Sequence, residues 1–334
     1  MAPWVLFACG GSEIQAPRAA LAPPVESSDL LERPLEQYVP AAGLRWLLVG
    51  RPREIAQTRW LRESLSRLFP EDRLDAFAHA TGLDLRESRE GLIAGFDFGT
   101  LYLATTTGSN ERVEELFRNR LPAGPIEHHP HPDLLVLGGM LGETPAALVS
   151  QRGHLVGVSF GDPTLARIVE AYAQARLKSV TALHGAALAS LPDAMHDAPV
   201  RFYAPGPFDD EWRGAIHGIL GVATAVGVTA RPLPPDQIRI RVEVAGDWSE
   251  DGPRAREAAQ QSYAELVTSS LGRLLALDGT PIVTVAPDRI SLSVDLLLGP
   301  LVNGLYAAVS ADVWELLELD APQQRPEPEE STSH

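Results

Sequence analysis

The sequence predicts an α+β protein built from two similar ferredoxin-like halves, in which helices pack on one face of each antiparallel sheet. Two observations predict this class. Short apolar runs with strand periodicity alternate with amphipathic helical segments along residues 38–319. In addition, the order of elements in residues 144–173 returns, 136 positions later, in residues 280–309. A repeated order of this kind indicates two related units.

The repeated segment is a hairpin followed by a helix. Both copies open with Thr-Pro, at positions 144–145 and 280–281, and an apolar run, a turn and a second apolar run follow. A proline, Pro163 or Pro300, then begins a helical pattern. Few residues are identical, so the prediction rests on the shared order of elements.

The first half, residues 38–195, is predicted to run β-α-β-β-α-β-β-β-α, with a short second helix near residues 74–80 left out of this order. Its strands and helices are predicted at residues 45–49, 55–68, 92–106 (two strands), 113–121 and 134–137, before the first copy of the hairpin and helix. A histidine-rich segment before residue 134 is expected to be a loop.

The second half, residues 196–319, repeats the β-α-β-β-α-β order. Its elements are predicted at residues 200–204 (strand), 212–223 (helix), 228–231 and 238–245 (strands) and 263–274 (helix), before the second hairpin and a last helix. Polar residues alternate along two of these strands: Arg239, Arg241, Glu243, Ser291, Ser293 and Asp295. We therefore expect a solvent-facing sheet surface, which could bind a partner but is more often only solvated.

The composition limits the classes of function. The chain has 334 residues, a formal net charge of −16 and a single cysteine. The negative charge argues against nucleic acid as a partner and against electrostatic binding to anionic lipid headgroups. No apolar run reaches the roughly 20 residues that span a bilayer, and one cysteine excludes an intrachain disulfide and a cysteine-based zinc site.

The first residues carry the clearest functional signal. Leu6 and Ala8 stand three and one positions before Cys9, and Gly10 follows. This pattern resembles the lipobox of bacterial lipoproteins. The resemblance implies that residues 1–9 hold a truncated signal and lipobox, and that Cys9 is the lipid attachment site. It further implies a membrane partner through the lipid anchor, and Gly10, rather than an aspartate, implies the outer membrane, on its periplasmic or surface-facing side.

The lipobox differs from the family pattern in one respect, because the apolar stretch before Cys9 is shorter than the about 7–15 residues of a signal peptide. We therefore expect translation to start upstream, the alternative being a free thiol in a flexible tail. Residues 10–37 are rich in Ala, Pro, Ser and Glu, and are predicted to be a disordered tether. The tail, residues 320–334, is predicted to be disordered for the same reason.

One motif points to catalysis. Residues 157–161 match G-x-S-x-G, the nucleophile elbow of serine hydrolases, with Ser159 at its centre. In the repeat, however, Ser159 aligns with Asp295, which is an ordinary outward-facing strand position. An elbow also needs a positioned histidine and acid, which the sequence does not suggest. A serine hydrolase that uses Ser159 is therefore an alternative, and no catalytic residue is predicted.

Two further clusters are best understood as structural. His128, His129 and His131 could bind a metal weakly, but two prolines stiffen their segment and neighbouring side chains rarely converge on one ion. The acidic run at residues 209–211 precedes a predicted helix, where carboxylates are favoured by capping and by the helix dipole. No dinucleotide, P-loop or H-E-x-x-H motif is present. We therefore predict no cofactor and no metal.

The sequence thus predicts a non-enzymatic, membrane-anchored lipoprotein with a binding or structural role. Its further partner, a protein or a small molecule, is not identified by any motif. A weak metal-binding module is the other alternative.

Overall fold

A computed structural model describes residues 33–310, except positions 175, 177–179, 192–194, 196, 209–213 and 215. Its centre is one sheet of twelve strands: β1 Leu44–Gly50, β2 Gly91–Phe96, β3 Gly99–Thr105, β4 Ile126–His131, β5 Leu134–Leu141, β6 Thr144–Gln151, β7 Leu155–Phe160, β8 Val200–Pro205, β9 Ala223–Leu233, β10 Gln237–Gly246, β11 Ile282–Ala286 and β12 Arg289–Leu297. The strand order is β11-β12-β10-β9-β8-β1-β2-β3-β7-β6-β5-β4.

The helices are α1 Pro52–Gln57, α2 Arg59–Leu65, α3 Glu71–Thr81, α4 Glu111–Asn119, α5 Thr164–Ala173, α6 Ile219–Val222, α7 Gly252–Thr268, α8 Ser270–Leu274 and α9 Leu298–Ser310. Short 3-10 helices lie at Leu35–Tyr38, Leu85–Glu87, Ala182–His184, Leu188–Ser190 and Ile216–Gly218. Along the described part of the chain, no helix is both long enough and apolar enough to span a bilayer.

The sheet consists of two arms that meet at its middle. β1 pairs with β8, with Leu47 opposite Tyr203. Outward from this junction the order is β1-β2-β3-β7-β6 in the first arm and β8-β9-β10-β12-β11 in the second. β5 and β4 extend the first arm further. The two arms therefore share one order of strands, in agreement with the repeat seen in the sequence.

The strand register defines two faces, because residues paired directly across an antiparallel sheet point to the same side. We call the side of Leu48, Ile93 and Tyr102 the front face, since these residues pair in sequence across β1, β2 and β3. The back face carries Leu47 and Val49. On the back face a core forms with α5 and with the 3-10 helices on either side of it in the chain.

The predicted class is confirmed: the protein is α+β, and its described strand pairs are antiparallel. The ferredoxin-like arrangement is wrong in its connections. A β-α-β-β-α-β unit of that kind contains a split β-α-β pair, whereas here β1, β2 and β3 pair in chain order. The two halves also share a single sheet.

The helices of the first half lie on both faces, not on one. In β6, Leu148 packs against α4 on the front face, while the next residue, Val149, packs with α5 on the back face. In the second half α7 and α9 both lie on the front face. The hairpin and helix of the repeat are present twice, but their helices α5 and α9 lie on opposite faces.

The connections explain this difference. Three residues separate β7 from α5, and the first of them, Gly161, has a φ of +89°, which lets the chain turn to the back face. In contrast, α9 begins directly after β12. The duplication therefore stays a prediction: the strand order agrees with it and the placement of the last helices does not.

Three local predictions are also corrected. The histidine-rich segment is the edge strand β4, so the first half has one strand more than predicted. The end of the predicted tether is ordered, because Leu35 begins a 3-10 helix and is 1% exposed. β9 begins at Ala223, where the sequence predicts the end of a helix. Residues 1–9 and 320–334 lie outside the described residues.

Candidate functional site

An apolar cavity of about 680 Å³ lies on the front face of the first half. Its floor is the sheet, where Leu48, Ile93 and Tyr102 point into it from three neighbouring strands. Helices α3 and α4 form its walls, with Phe77 and Phe117 among the lining residues. A volume of this size is typical of a small-molecule site.

The cavity exists because α3 packs loosely. No residue of α3 is buried. Four of its eleven residues are charged and four more are alanine or threonine, so it offers few large apolar side chains to the sheet. Phe69 and Phe77, which line the cavity, are 58% and 40% exposed. These phenyl rings therefore stand at the opening, where water reaches them.

Small residues in the sheet deepen the cavity. Gly50 of β1 lies opposite Gly91 of β2, and Gly91 lies opposite Ala104 of β3, so a row of small residues leaves the floor open. A Cβ atom added at Gly50 would meet no heavy atom within 4 Å. The space above Gly50 is therefore free to hold part of a ligand.

A second cavity of about 210 Å³ lies next to the first. Pro52, Phe69 and Leu85 line both. The smaller cavity lies between α1, α2 and α3, with Leu65 and Leu74 in its walls. The two cavities therefore adjoin each other beneath the helices.

Few polar side chains line the larger cavity. Among its described lining residues Arg120 is the only charged one, and Tyr102 and Thr81 carry the only hydroxyls. The Tyr102 ring meets the Phe160 ring edge to face, with the centroids 5.9 Å apart. Arg120 lies just beyond α4 and donates a hydrogen bond of 2.5 Å to the carbonyl oxygen of Ala80 in α3.

A buried charge cluster on the back face joins the two arms. Arg201 of β8 is 2% exposed and donates hydrogen bonds of 2.6 and 2.9 Å to Glu36 and Glu90. Glu90 also accepts a hydrogen bond from the Leu35 amide. Burial acts to lower the pKa of Arg201, but the two carboxylates outweigh it and hold that pKa above its usual value. Burial raises the pKa of the neighbouring Tyr203.

This cluster orders a part of the chain that the sequence predicts to be tether. Because Glu36 belongs to the 3-10 helix Leu35–Tyr38, its ion pair fixes that segment across the middle of the sheet. Such a desolvated network has a structural role, because its charged groups bind one another.

Ser159 is inside β7, where it pairs with Leu101 and Ala147. It is 0% exposed, so the expectation of an outward-facing position is wrong. The back face of the first half is covered by α5, whereas the repeat partner Asp295 lies on an uncovered part of the same face. The Ser159 hydroxyl has no hydrogen-bond partner in the described structure.

The three histidines of β4 do not converge. His129 contacts Glu127 at 2.8 Å, and His131 accepts a hydrogen bond from the Asp133 amide. Nowhere among the residues the structure describes do three metal-binding side chains come close enough to share an ion. The acidic run at residues 209–211 and the proposed lipid site Cys9 lie outside the described residues.

The polar back face of the second half is partly as predicted. Arg239 and Asp295 form a two-pronged ion pair, with both contacts at 2.7 Å. Glu243 differs because it is fully buried and bonded to Arg241 and Ser291. The side chains of Met195 and Leu191 lie over Gly227, beside Glu243, and cover that part of the face.

The cavity itself does not follow from the sequence. The only sequence feature that hints at the cavity is the weak apolar face of the segment that forms α3. From the sequence, this segment is predicted only as a short helix. The lining residues come from seven strands and several helices, and only the long-range register brings them together.

Comparisons with known proteins identify no family. No family model matches the chain, and no curated protein matches it significantly. Among solved structures, crystal form III of TP0453 aligns with a TM-score of 0.47 at 9% identity, over 82% of this chain and 98% of that one. Crystal form I aligns with a TM-score of 0.46 at 10% identity, over 82% and 97%. Similarity at this level transfers no function.

Proposed function

We propose that the protein is a membrane-anchored lipoprotein with a binding function, and that its cavity holds the acyl chain of a lipid. The observation that carries the binding function is the apolar cavity of about 680 Å³ between the sheet and α3. Concave, mostly apolar sites of this size bury small ligands. An acyl chain is strongly favoured there, because each buried methylene contributes about 0.8 kcal/mol.

The volume of the larger cavity is sufficient for an acyl chain. If a methylene takes the ~30 Å³ that a water molecule occupies in the liquid, a chain of about 16 to 18 carbons fills most of the larger cavity. The smaller cavity shares three lining residues with it. A flexible chain can bend to fit adjoining spaces of this kind.

The lining supports binding rather than catalysis. General acid–base chemistry needs titratable groups placed against the reacting atoms. Of the described residues around the larger cavity, Arg120 is the only charged one, and no histidine or carboxylate accompanies it. A hydrolase centred on Ser159 gains no support, because that side chain is buried in β7 and does not line the cavity.

The membrane anchor is supported by the sequence around Cys9, which resembles a lipobox, and by the spacer that follows it. Gly10 in the next position supports the outer membrane. Two or three acyl chains anchor a protein stably without any apolar or basic surface, which is compatible with a net charge of −16.

The anchor is tested by cell fractionation. Expressed with its native leader, the protein should fractionate with membranes, and Cys9→Ser should release it. Native protein that keeps an unmodified Cys9 would refute the anchor.

The acyl-chain function is tested by filling the cavity. Gly50→Leu places a side chain into open space on the front face. We expect it to weaken binding of a fluorescent polyene fatty acid at least about tenfold, because it occupies volume that the chain needs. Gly138→Leu is the matched control, since an added Cβ there also meets nothing within 4 Å, yet Gly138 does not line the cavity.

The measurement is a fluorescence titration of the folded protein, with palmitate as the competitor. Equal loss of affinity in both variants, or no binding of the probe by the unaltered protein, would overturn the acyl-chain function. Palmitate detected by mass spectrometry in protein purified under native conditions, and absent from Gly50→Leu, would support it independently.

A further inference from the structure

We infer that the ligand is a single-chain amphiphile with an anionic head group, and that Arg120 binds this head group at the mouth of the cavity. The inference rests on the proposed acyl-chain function and adds the chemistry of the other end of the ligand. Arg120 lines the cavity, and its side chain is exposed. It therefore stands where an acyl chain in the cavity would meet water.

Arg120 has no acidic partner in the described structure. No carboxylate of the described residues forms an ion pair with it, and its one side-chain hydrogen bond goes to the Ala80 carbonyl oxygen. Arg86, which lines the smaller cavity, differs sharply. It contacts Glu71, Asp75 and Asp84 at 2.7 to 2.8 Å, so its donors are already used.

The remaining donors of Arg120 suit an oxyanion. A guanidinium has five N–H groups in a planar fork, and one of its nitrogens is bound to Ala80. The free edge matches a carboxylate or phosphate, which such a fork binds through two charge-assisted hydrogen bonds. In a chain with a net charge of −16, an anionic ligand requires a local cation of this kind.

Two alternatives to head-group binding by Arg120 have to be distinguished: Arg120 only stabilises helix α4, or another arginine binds the anion. A cation after the last turn of α4 is favoured by the helix dipole, so Arg120 could act only on stability. Arg62, exposed beside the smaller cavity, is a second arginine that an anion could reach. Neither alternative predicts that Arg120 discriminates between charged and neutral ligands of equal chain length.

The test compares palmitate, hexadecanol and a lysophosphatidylglycerol as competitors of a neutral fluorescent probe, at a pH where the carboxyl group is ionised. We expect the unaltered protein to prefer an anionic ligand over hexadecanol by about tenfold. Arg120→Gln should abolish this preference by lowering the affinity for the anions far more than the affinity for hexadecanol, whereas Arg120→Lys should keep part of it. Arg62→Gln is the control and should keep it fully.

The outcomes are distinct. Preference for palmitate identifies a free fatty acid as the better ligand, and preference for the lysophospholipid identifies a phosphate head group. Equal affinity for hexadecanol and the anions, or a preference that survives Arg120→Gln, overturns the role of Arg120 while the acyl-chain function stands. If no competitor binds, both proposals are wrong.

Discussion

The two arms of the sheet share one strand order but differ in what covers their front faces. In the second arm, Leu301 of α9 packs directly on Val294 and Leu296 of β12. Ala255 and Ala259 let α7 lie close against the sheet. In the first arm, α3 stands over the sheet without burying a single residue, and the cavity fills the space between them. The same order of strands is therefore covered by tightly packed helices in the second arm and leaves a cavity under α3 in the first.

The difference is explained by the composition of the covering helices. α9 is almost entirely apolar, whereas α3 contains four charged residues in its eleven. An apolar helix lowers its free energy by closing onto a sheet, and a charged one keeps its polar groups in water. Unfilled apolar volume forgoes packing contacts, which a ligand in the cavity would restore.

The two arms belong to one sheet, and Arg201 provides the strongest test of how they are joined. Arg201→Ala leaves Glu36 and Glu90 buried without their cation. Breaking a buried ionic network in this way should lower the free energy of unfolding by about 3–5 kcal/mol, measured by urea denaturation. Arg239→Ala removes a half-exposed ion pair and should cost only about 0–1 kcal/mol. Similar losses in both variants would show that the cluster does not join the arms.

The packing difference itself is tested by two Leu→Ala substitutions. Leu298 of α9 is almost fully buried against Leu61 and Val302, so Leu298→Ala should cost about 2–5 kcal/mol. Leu74 of α3 already lines a cavity. Leu74→Ala should therefore cost less than about 1 kcal/mol, in the same denaturation experiment. A large loss at Leu74 would mean that α3 packs tightly and that the hollow is smaller than described.

The sequence predicts the local elements better than their arrangement. The strand at residues 45–49, the hairpins and the amphipathic α4 follow from periodicity, and they lie within a few residues of their predicted places. The periodicity of a helix, however, does not show on which face of the sheet that helix packs. The turn at Gly161, which sends α5 to the back, depends on one backbone angle, and the cavity depends on pairings between strands far apart in the chain.

Glu36 and Ser159 show that local sequence also fails to predict the burial of single residues. Glu36 stands in a proline-rich segment that is typical of a tether, and only its partner Arg201, 165 positions away, explains its burial. Alignment with Asp295 predicts that Ser159 faces solvent, but the two arms carry different covers on their back faces. Local sequence describes a residue's own strand, while burial depends on what packs above it.

Ser159 and Asp295 provide the smallest expected effect and the last test of the difference between the arms. Ser159 is buried without a hydrogen-bond partner in the described structure, so its hydroxyl was desolvated on folding with no compensating bond. Ser159→Ala should therefore change the free energy of unfolding by no more than about 0.5 kcal/mol, or raise it slightly. Asp295→Ala removes the partner of Arg239 and should cost about 0–1 kcal/mol, less at high salt. Salt should not alter the effect of Ser159→Ala on the free energy of unfolding, because this substitution changes no charge.

Two outcomes would contradict this account of Ser159. A loss above about 1.5 kcal/mol in the free energy of unfolding for Ser159→Ala would reveal a bonded hydroxyl. Labelling of Ser159 by a serine-directed probe in the folded protein would support the serine hydrolase again.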